Sequence, residues 1–349
     1  MIKKIKIGKK FIGTNQPAFI IAEAGINHNG DFDTAKKLIV SAKSSGADAI
    51  KFQAFKTEEL IIEKAQKAEH VKGSKSMFEM IKSWELTPDE YSKLADFAKK
   101  QEIILFASVF GKESLEVMKK IGAPLFKIAS CDLNNHYLLK EVSKTKKPVI
   151  ISTGMGDLKE IKEAVEILES NGSDVMILHC VSLYPPQPEE LNLQRIGILH
   201  NVFPKNIIGY SDHTLDIFVP VSALLLGATV IEKHFTLDKK MSGPDQQSSS
   251  DPDEFKKMVS QIRFLEKSYN HVDKKIVPGK REKEMRKAFR RSLVANSAIS
   301  KGTVIREEML GVKRPGTGIP SSHIGKVIGK RVNRDLVINT VLKYSDLIK

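Results

Sequence analysis

The 349-residue sequence predicts an α/β protein, a parallel TIM (β/α)8 barrel followed by a small C-terminal domain. Three observations carry that expectation. Short apolar, β-branched runs alternate with amphipathic helical segments from Phe19 to about Tyr269. Polar side chains stand at the C-terminal end of every run, where barrels gather their ligands. After Asn270 the alternation stops and short strand-like runs with turn signals begin.

The expected strands are Phe19–Ile26, Ala49–Gln53, Ile104–Phe110, Phe126–Ser130, Val149–Gly154, Met176–Ser182, Ile207–His213 and Val230–Phe235. The helices between them are Thr34–Ser45, Pro88–Lys100, Glu113–Ile121, Tyr137–Lys144, Leu158–Asn171, Leu193–Val202 and Leu215–Leu226, with Pro252–Lys267 after the last strand. Asp33, Thr87, Asp157 and Asp251 serve as N-caps, Asp216 can begin the helix before the eighth strand, and Gly46, Gly122, Gly172 and Gly227 end helices. The same alternation would also suit a doubly wound open sheet, which is the runner-up. Thr57–Glu85 reads as a loop with one short helix over the barrel mouth, and Asn27–His28–Asn29–Gly30 as a turn able to face a substrate. Residues 1–270 form the barrel, the charged stretch 271–288 a linker, and 289–349 the second domain.

The strand ends carry chemistry. Ile207–Phe235 reads as strand, helix, strand, so His213 and His234 would emerge side by side at one barrel edge, able to hold a divalent metal with an open position. Lys51, in AIKFQ, and Lys127, in FKIAS, lie inside apolar strands, where an unpaired charge is costly. Converging with Ser108, Ser130, Ser152, Ser182 and Ser211, they read as a phosphate or phosphoenol site. An ion pair of these lysines with Glu23 or Glu232 is the bland alternative. Asp245, in a loop at the same edge, could reach a polyhydroxylated ligand.

Lys and Arg outnumber Asp and Glu by 56 to 42, a formal net charge of +14. The lysines are scattered over helix faces, and no aromatic-interleaved basic patch or recognition helix accompanies them, so nucleic acid is not indicated; the balance suits a small anionic substrate. No apolar run is long enough to span a membrane and no leader opens the chain. Cys131 and Cys180, in no metal-ligand spacing, fit buried packing in a reduced cytoplasmic setting.

The runs IAEAGINHNG (Ile21–Gly30), IKFQ (Ile50–Gln53), FKIAS (Phe126–Ser130), ISTGM (Ile151–Met155) and HCVSLYP (His179–Pro185) resemble those of the N-acetylneuraminate (sialic acid) synthase family. So do GYSDHT (Gly209–Thr214), IEKHFTLD (Ile231–Asp238), SGPD (Ser242–Asp245) and KRPGTGI (Lys313–Ile319), in the family's order along nearly the whole chain. The tail resembles that family's antifreeze-like (SAF, β-clip) domain. The resemblance implies condensation of phosphoenolpyruvate with an N-acylated amino sugar such as N-acetylmannosamine, a divalent metal (Mn2+, with Mg2+ or Co2+ as alternatives), and a domain-swapped homodimer. It implies Glu23, His213 and His234 as catalytic groups, the two histidines also as metal ligands. Lys51, Ser108, Lys127, Ser130, Ser152 and Ser211 would bind phosphoenolpyruvate. Gln53, Asp132, Ser182, Tyr184 and Asp245 would contact the sugar, joined by Arg314 from a second copy. Ser182 stands where these synthases commonly carry Asn; legionaminic acid and spore-coat polysaccharide synthases share most of the motifs, and the branch that takes a phosphorylated sugar to a 9-phosphate product stays open beside them. Outside the family stand the deoxy-octulosonate and deoxy-heptulosonate synthases, against which the tail and the paired strand-end histidines argue, and a non-catalytic sugar- or ice-binding module, which would need no strand-end lysines, carboxylate and metal pair in a barrel.

Overall fold

The computed structural model describes residues 4–65, 76–269 and 276–348. By its contacts the chain divides into two units, Met1–His271 and Val272–Lys349. The first opens with a hairpin that the sequence reading lacks, β1 (Ile5–Ile7) paired antiparallel with β2 (Lys10–Ile12). The barrel then alternates β3 (Phe19–Gly25), α1 (Phe32–Ser44), β4 (Ala49–Ala54), the short α2 (Thr57–Leu60) and α3 (Met77–Lys82), and α4 (Pro88–Lys100). It continues with β5 (Ile104–Val109), α5 (Lys112–Lys120), β6 (Phe126–Ile128), α6 (His136–Ser143), β7 (Val149–Ser152), α7 (Leu158–Glu169) and β8 (Val175–Cys180). Last come α8 (Arg195–Val202), β9 (Ile207–Asp212), α9 (Phe218–Leu225), β10 (Val230–His234) and α10 (Pro252–Tyr269). Strands β3 to β10 close on themselves, each parallel to its sequence neighbours and β10 beside β3, so the open-sheet alternative is excluded.

Local chemistry sets the boundaries. Thr87 and Asp157 cap α4 and α7 with reciprocal Glu90 and Glu160 contacts, and Asp251 and Glu254 do the same for α10. For α1 the cap is Asp31, not Asp33: Asp31 Oδ1 accepts from Thr34 N at 2.6 Å, while Asp33 pairs with Lys36. β6 stops early because Ser130–Asp132 winds into a 3-10 turn. α9 starts three residues later than expected because Thr214 and Asp216 are drawn to Lys233, to which their carbonyls accept. The 57–85 excursion holds two short helices among its described residues rather than one; its residues 66–75 lie outside them.

Two apolar layers support the site. Between strands and helices packs a core that includes Ile20, Phe52, Leu38, Leu94, Tyr210 and Phe255. Inside the barrel, Phe19, Ile21, Phe106, Ile150, Met176 and Leu178 fill the N-terminal half, and Ile5, Ile7 and Ile12 of the hairpin plug the bottom. The C-terminal half is left for polar groups above a dry floor. At the barrel bottom Asp48 ties layers together, accepting from Ile20 N at 2.8 Å, from Arg263 of α10 at 2.9 Å, and from Lys10. Asp48→Ala would orphan a buried N–H and loosen a guanidinium. We expect a loss of about 3 kcal/mol of stability, read as a lower urea midpoint with specific activity unchanged in dilute buffer.

In the second unit β11 (Ser292–Ala295) pairs antiparallel with β12 (Leu310–Lys313) over a core that includes Leu293, Ile305, Val327, Val332 and Leu342. A helix, α11 (Lys280–Phe289), occupies much of the stretch read as a linker, whose residues 271–275 lie outside the described ones. None of its side chains is buried, and its apolar residues, Met285, Ala288 and Phe289, fall only in its second half, too short a stripe for the sequence to announce a helix. Among the described residues no helix is long and apolar enough to cross a membrane.

Candidate active site

At the C-terminal end of the barrel lies a cavity of about 320 Å3. The strand register builds it. Glu23 pairs with His234 on one side and Lys51 on the other; Gln53 pairs with Ser108, Ser108 with Lys127, and Ser211 with Glu232. Partners in register face the same way, so these side chains converge inside the barrel. The two-residue period then turns Lys51 and Gln53, Ser211 and His213, and Glu232 and His234 inward. Asp212 and Lys233 point outward and form their own fully buried ion pair at 2.5 Å, which Tyr210 and Thr214 share through hydrogen bonds to Asp212. This outer pair anchors the loop that carries His213.

Four charges occupy the cavity floor. Lys51 Nζ lies 2.7 Å from Glu23 Oε2 and 3.7 Å from Glu232 Oε1; Lys127 Nζ lies 3.8 Å from Glu232 Oε1. No side chain of the four is more than 6% exposed. Lys51 also donates to Ser108 Oγ at 3.0 Å and Lys127 to Ser152 Oγ at 2.6 Å. Burial raises the Glu23 carboxyl above its ordinary value despite the opposing pull of Lys51. For Glu232 burial acts the same way, but Lys127 and Lys51 outweigh it and hold the carboxylate low. Burial would depress Lys51 too, yet Glu23 and Glu232 keep it raised, whereas Lys127 is left lowered. The arrangement can hold a compact anion against two ammonium groups and place the Glu23 carboxyl, able to exchange a proton, within reach of it.

Hydroxyls complete the anion side. Ser130 Oγ accepts from Gly154 N at 3.1 Å, and a Cβ at Gly154 would come within 2.8 Å of Ser130 Oγ and closer still to Ser182 Oγ. A glycine here thus lets both serines reach the cavity. Ser182 lines this inner cavity with the lysines; it does not line the outer one with Asp245.

The two imidazoles are 5.3 Å apart between ring centroids, and Tyr184 stacks on His213 at 4.0 Å. His213 donates from Nδ1 to Val181 O at 2.7 Å, and its Nε2 faces Tyr184 OH at 3.0 Å. Burial, reinforced by His213, holds His234 well below the imidazole range, so its ring is neutral. His234 Nδ1 is buried without a hydrogen-bond partner, 3.9 Å from Asp245 Oδ2. Two imidazoles side by side at the cavity, that of His234 neutral with an orphaned nitrogen, fit a divalent cation with open positions. Among the described residues no third His, Cys, Asp or Glu joins them as a preformed cluster.

A wider cavity of about 920 Å3 adjoins the first, sharing Gln53, Tyr184 and His234 with it. Gln53 donates to Glu23 Oε1 at 3.3 Å, and Gly25, at φ +51°, lets Gln53, Glu23 and Asp245 approach one another. Burial raises the Asp245 carboxyl. Of the turn after β3, Asn29 lines this cavity, while Asn27 is committed to Phe235 O and Ser249 Oγ and His28 to Gly30 N.

Not every expected residue arrives. Asp132 lines neither cavity, because its carboxylate accepts from Asn135 at 2.9 Å within the turn after β6. Arg314, expected to act on a second copy's barrel, belongs to the second unit, where its guanidinium lies 5.1 Å over the Phe289 ring. Cys131, expected to pack inside, is exposed; Cys180 is buried. Conversely, Glu232 sits at the centre of the floor, though the sequence reading gave it only a counter-ion role. Its position two residues before His234 on one strand face was the available signal.

The NeuB family model matches residues 38–274 and the SAF domain model residues 290–348. The chain is 39% identical to the N,N'-diacetyllegionaminic acid synthase of Legionella pneumophila, covering 97% of each. It is 35% identical to the human N-acetylneuraminate-9-phosphate synthase, over 93% of this chain and 90% of that one. Among solved structures it is similar to the N-acetylneuraminic acid synthetase of Leptospira borgpetersenii, with a TM-score of 0.74, 37% identity, and coverage of 82% of this chain and 95% of that one.

Proposed function

Because the chain belongs to the NeuB family of nonulosonic acid synthases and carries a SAF domain, we propose that it condenses phosphoenolpyruvate with an N-acylated amino sugar, releasing phosphate and a nonulosonic acid. The observation that carries this reading is the buried floor on which Lys51 is bracketed by Glu23 and Glu232 beside Lys127 and a ring of serine hydroxyls. That set matches a phosphorylated enol carboxylate: cations for its charge, hydroxyls for its remaining oxygens, and a carboxyl that can exchange a proton.

In this reading Lys51, Lys127, Ser108, Ser130, Ser152 and Ser211 hold phosphoenolpyruvate with C3 facing the outer cavity. Gln53, Tyr184 and Asp245 orient the open-chain sugar so that its aldehyde lies against C3. C3 forms the new bond to the aldehyde carbon, whose oxygen takes up a proton, and cationic character develops at C2. Water adds to C2 and loses a proton, and cleavage of the C–O bond then releases phosphate. Glu23, between Lys51 and Gln53, is the group placed to stabilise C2 or to take the water's proton. His213 and His234 would hold the divalent cation, Mn2+ or alternatively Mg2+ or Co2+, which when bound supplies Lewis-acid polarisation of the aldehyde. The reading extends to a domain-swapped homodimer in which Arg314 of a second copy donates to the N-acyl carbonyl.

Phosphate release from phosphoenolpyruvate, in the presence of Mn2+ and a panel of N-acylated amino sugars, tests the function. We expect release that depends on the sugar and is abolished by a chelator and restored by added cation. Release that ignores the sugar, or no release with any acceptor, would sink the assignment.

A further inference from the structure

The outer cavity has two unlike walls. One is polar: Gln53, Tyr184, His234 and Asp245 belong to the reaction, and Asn29, Ser242 and Ser248 continue that side. The other is formed by α2, α3 and the turn after α3, whose Leu60, Met77, Met80, Ile81 and Trp84 face the same space, with Phe55 behind them. Nothing in carbon–carbon bond formation requires that second wall. Most of its side chains are only half-buried, so they are not core residues that happen to border a hollow. Among the described lining residues Asp245 is the sole charged side chain.

Resting on the function proposed above, we propose that the apolar wall selects the acceptor, a 6-deoxy hexose bearing two acylamino groups in preference to a polyhydroxylated or phosphorylated amino sugar. The polar wall fixes the end that reacts, because it is continuous with the inner cavity through Gln53, Tyr184 and His234. The far carbons and their substituents must then lie toward Met77, Met80, Ile81 and Trp84. Hydroxyls placed there lose water and gain no partner, whereas a C6 methyl and an acyl methyl bury apolar surface against thioether and indole. A second acylamino group also uses the room of a 920 Å3 cavity, which lies toward the upper end for small-molecule sites. A sugar phosphate fits worst, since its dianion would share an apolar-walled space with the Asp245 carboxyl.

The test compares kcat/KM for phosphate release with Mn2+ and three acceptors: 2,4-diacetamido-2,4,6-trideoxymannose, N-acetylmannosamine, and N-acetylmannosamine 6-phosphate. The expected order is the one given, with about 100-fold between the first two. In Met77→Gln and Met80→Gln, each folded by circular dichroism, that ratio should narrow about 10-fold, chiefly through loss with the deoxy sugar. Equal or better turnover of either other acceptor, or a ratio unmoved in both variants, overturns the proposed selection while leaving the synthase reading in place. Absence of release with all three acceptors overturns the synthase reading, and the selection falls with it.

Discussion

Replacing Glu23 with Gln is expected to lower phosphate release about 1000-fold while the barrel stays folded. The substitution preserves shape and one oxygen, but removes both the charge and the proton exchange. Glu23 lines the inner cavity, against Lys51 at 2.7 Å and, at 3.3 Å, against Gln53, which the outer cavity shares. Among the described residues no other carboxylate is so placed: Glu232 is held low by Lys127 and Lys51 and accepts from Ser211 at 3.1 Å, which fits a fixed counter-ion. The pH profile adds a second readout. Burial raises the Glu23 carboxyl, so the wild-type kcat/KM should decline on the acid side from a higher pH than an exposed glutamate would give. In Glu23→Gln the residual activity should lose that limb. Turnover within tenfold of wild type, with the acid limb intact, would remove Glu23 from the chemistry.

Much of the barrel and its floor was legible in the sequence because both rest on short-range rules. A charged side chain inside an apolar strand, as with Lys51 and Lys127, announces that it must be paired or used, and the structure pairs both. The alternation of strand residues separates Glu232 and His234 from Lys233, and Ser211 and His213 from Asp212, without any knowledge of distance. What escaped depends on partners far along the chain. The β1–β2 hairpin is two runs of three residues, too short to stand alone, and becomes stable by plugging the barrel with Ile5, Ile7 and Ile12. Asp132 looked like a ligand-facing carboxylate, yet a neighbour three residues on, Asn135, engages it. Helix α11 is charged throughout its first half and has only Met285, Ala288 and Phe289 at helical spacing, too short a stripe to read. The apolar wall on α3 was hidden for a related reason: its side chains cover a cavity rather than a core, and periodicity does not distinguish the two.

Lys51→Met separates what the buried charges do for folding from what they do for chemistry. The methionine fills similar volume, but Glu23 and Glu232 lose the ammonium between them while both remain at most 6% exposed. We expect a loss of about 3–5 kcal/mol of stability together with loss of turnover by more than about 1000-fold. The pH sign follows from the direction of the shift. With the cation gone, the Glu23 carboxyl rises further in the folded state; a raised carboxyl penalises the fold as pH climbs through the range where the unfolded chain ionises. The variant's deficit relative to wild type should therefore shrink as pH falls toward the ordinary carboxylate range. Adding Glu23→Gln to Lys51→Met removes the stranded charge, so about 2 kcal/mol of stability should return in urea unfolding at neutral pH. Turnover should not return, because the anion site has lost a cation and the reaction its carboxylate. A double variant that recovered both would mean that the ion pair is scaffolding and that the anion is held elsewhere. Recovery of stability alone would place the same four residues at the junction of the two demands, where the barrel tolerates buried charge because a charged substrate needs it.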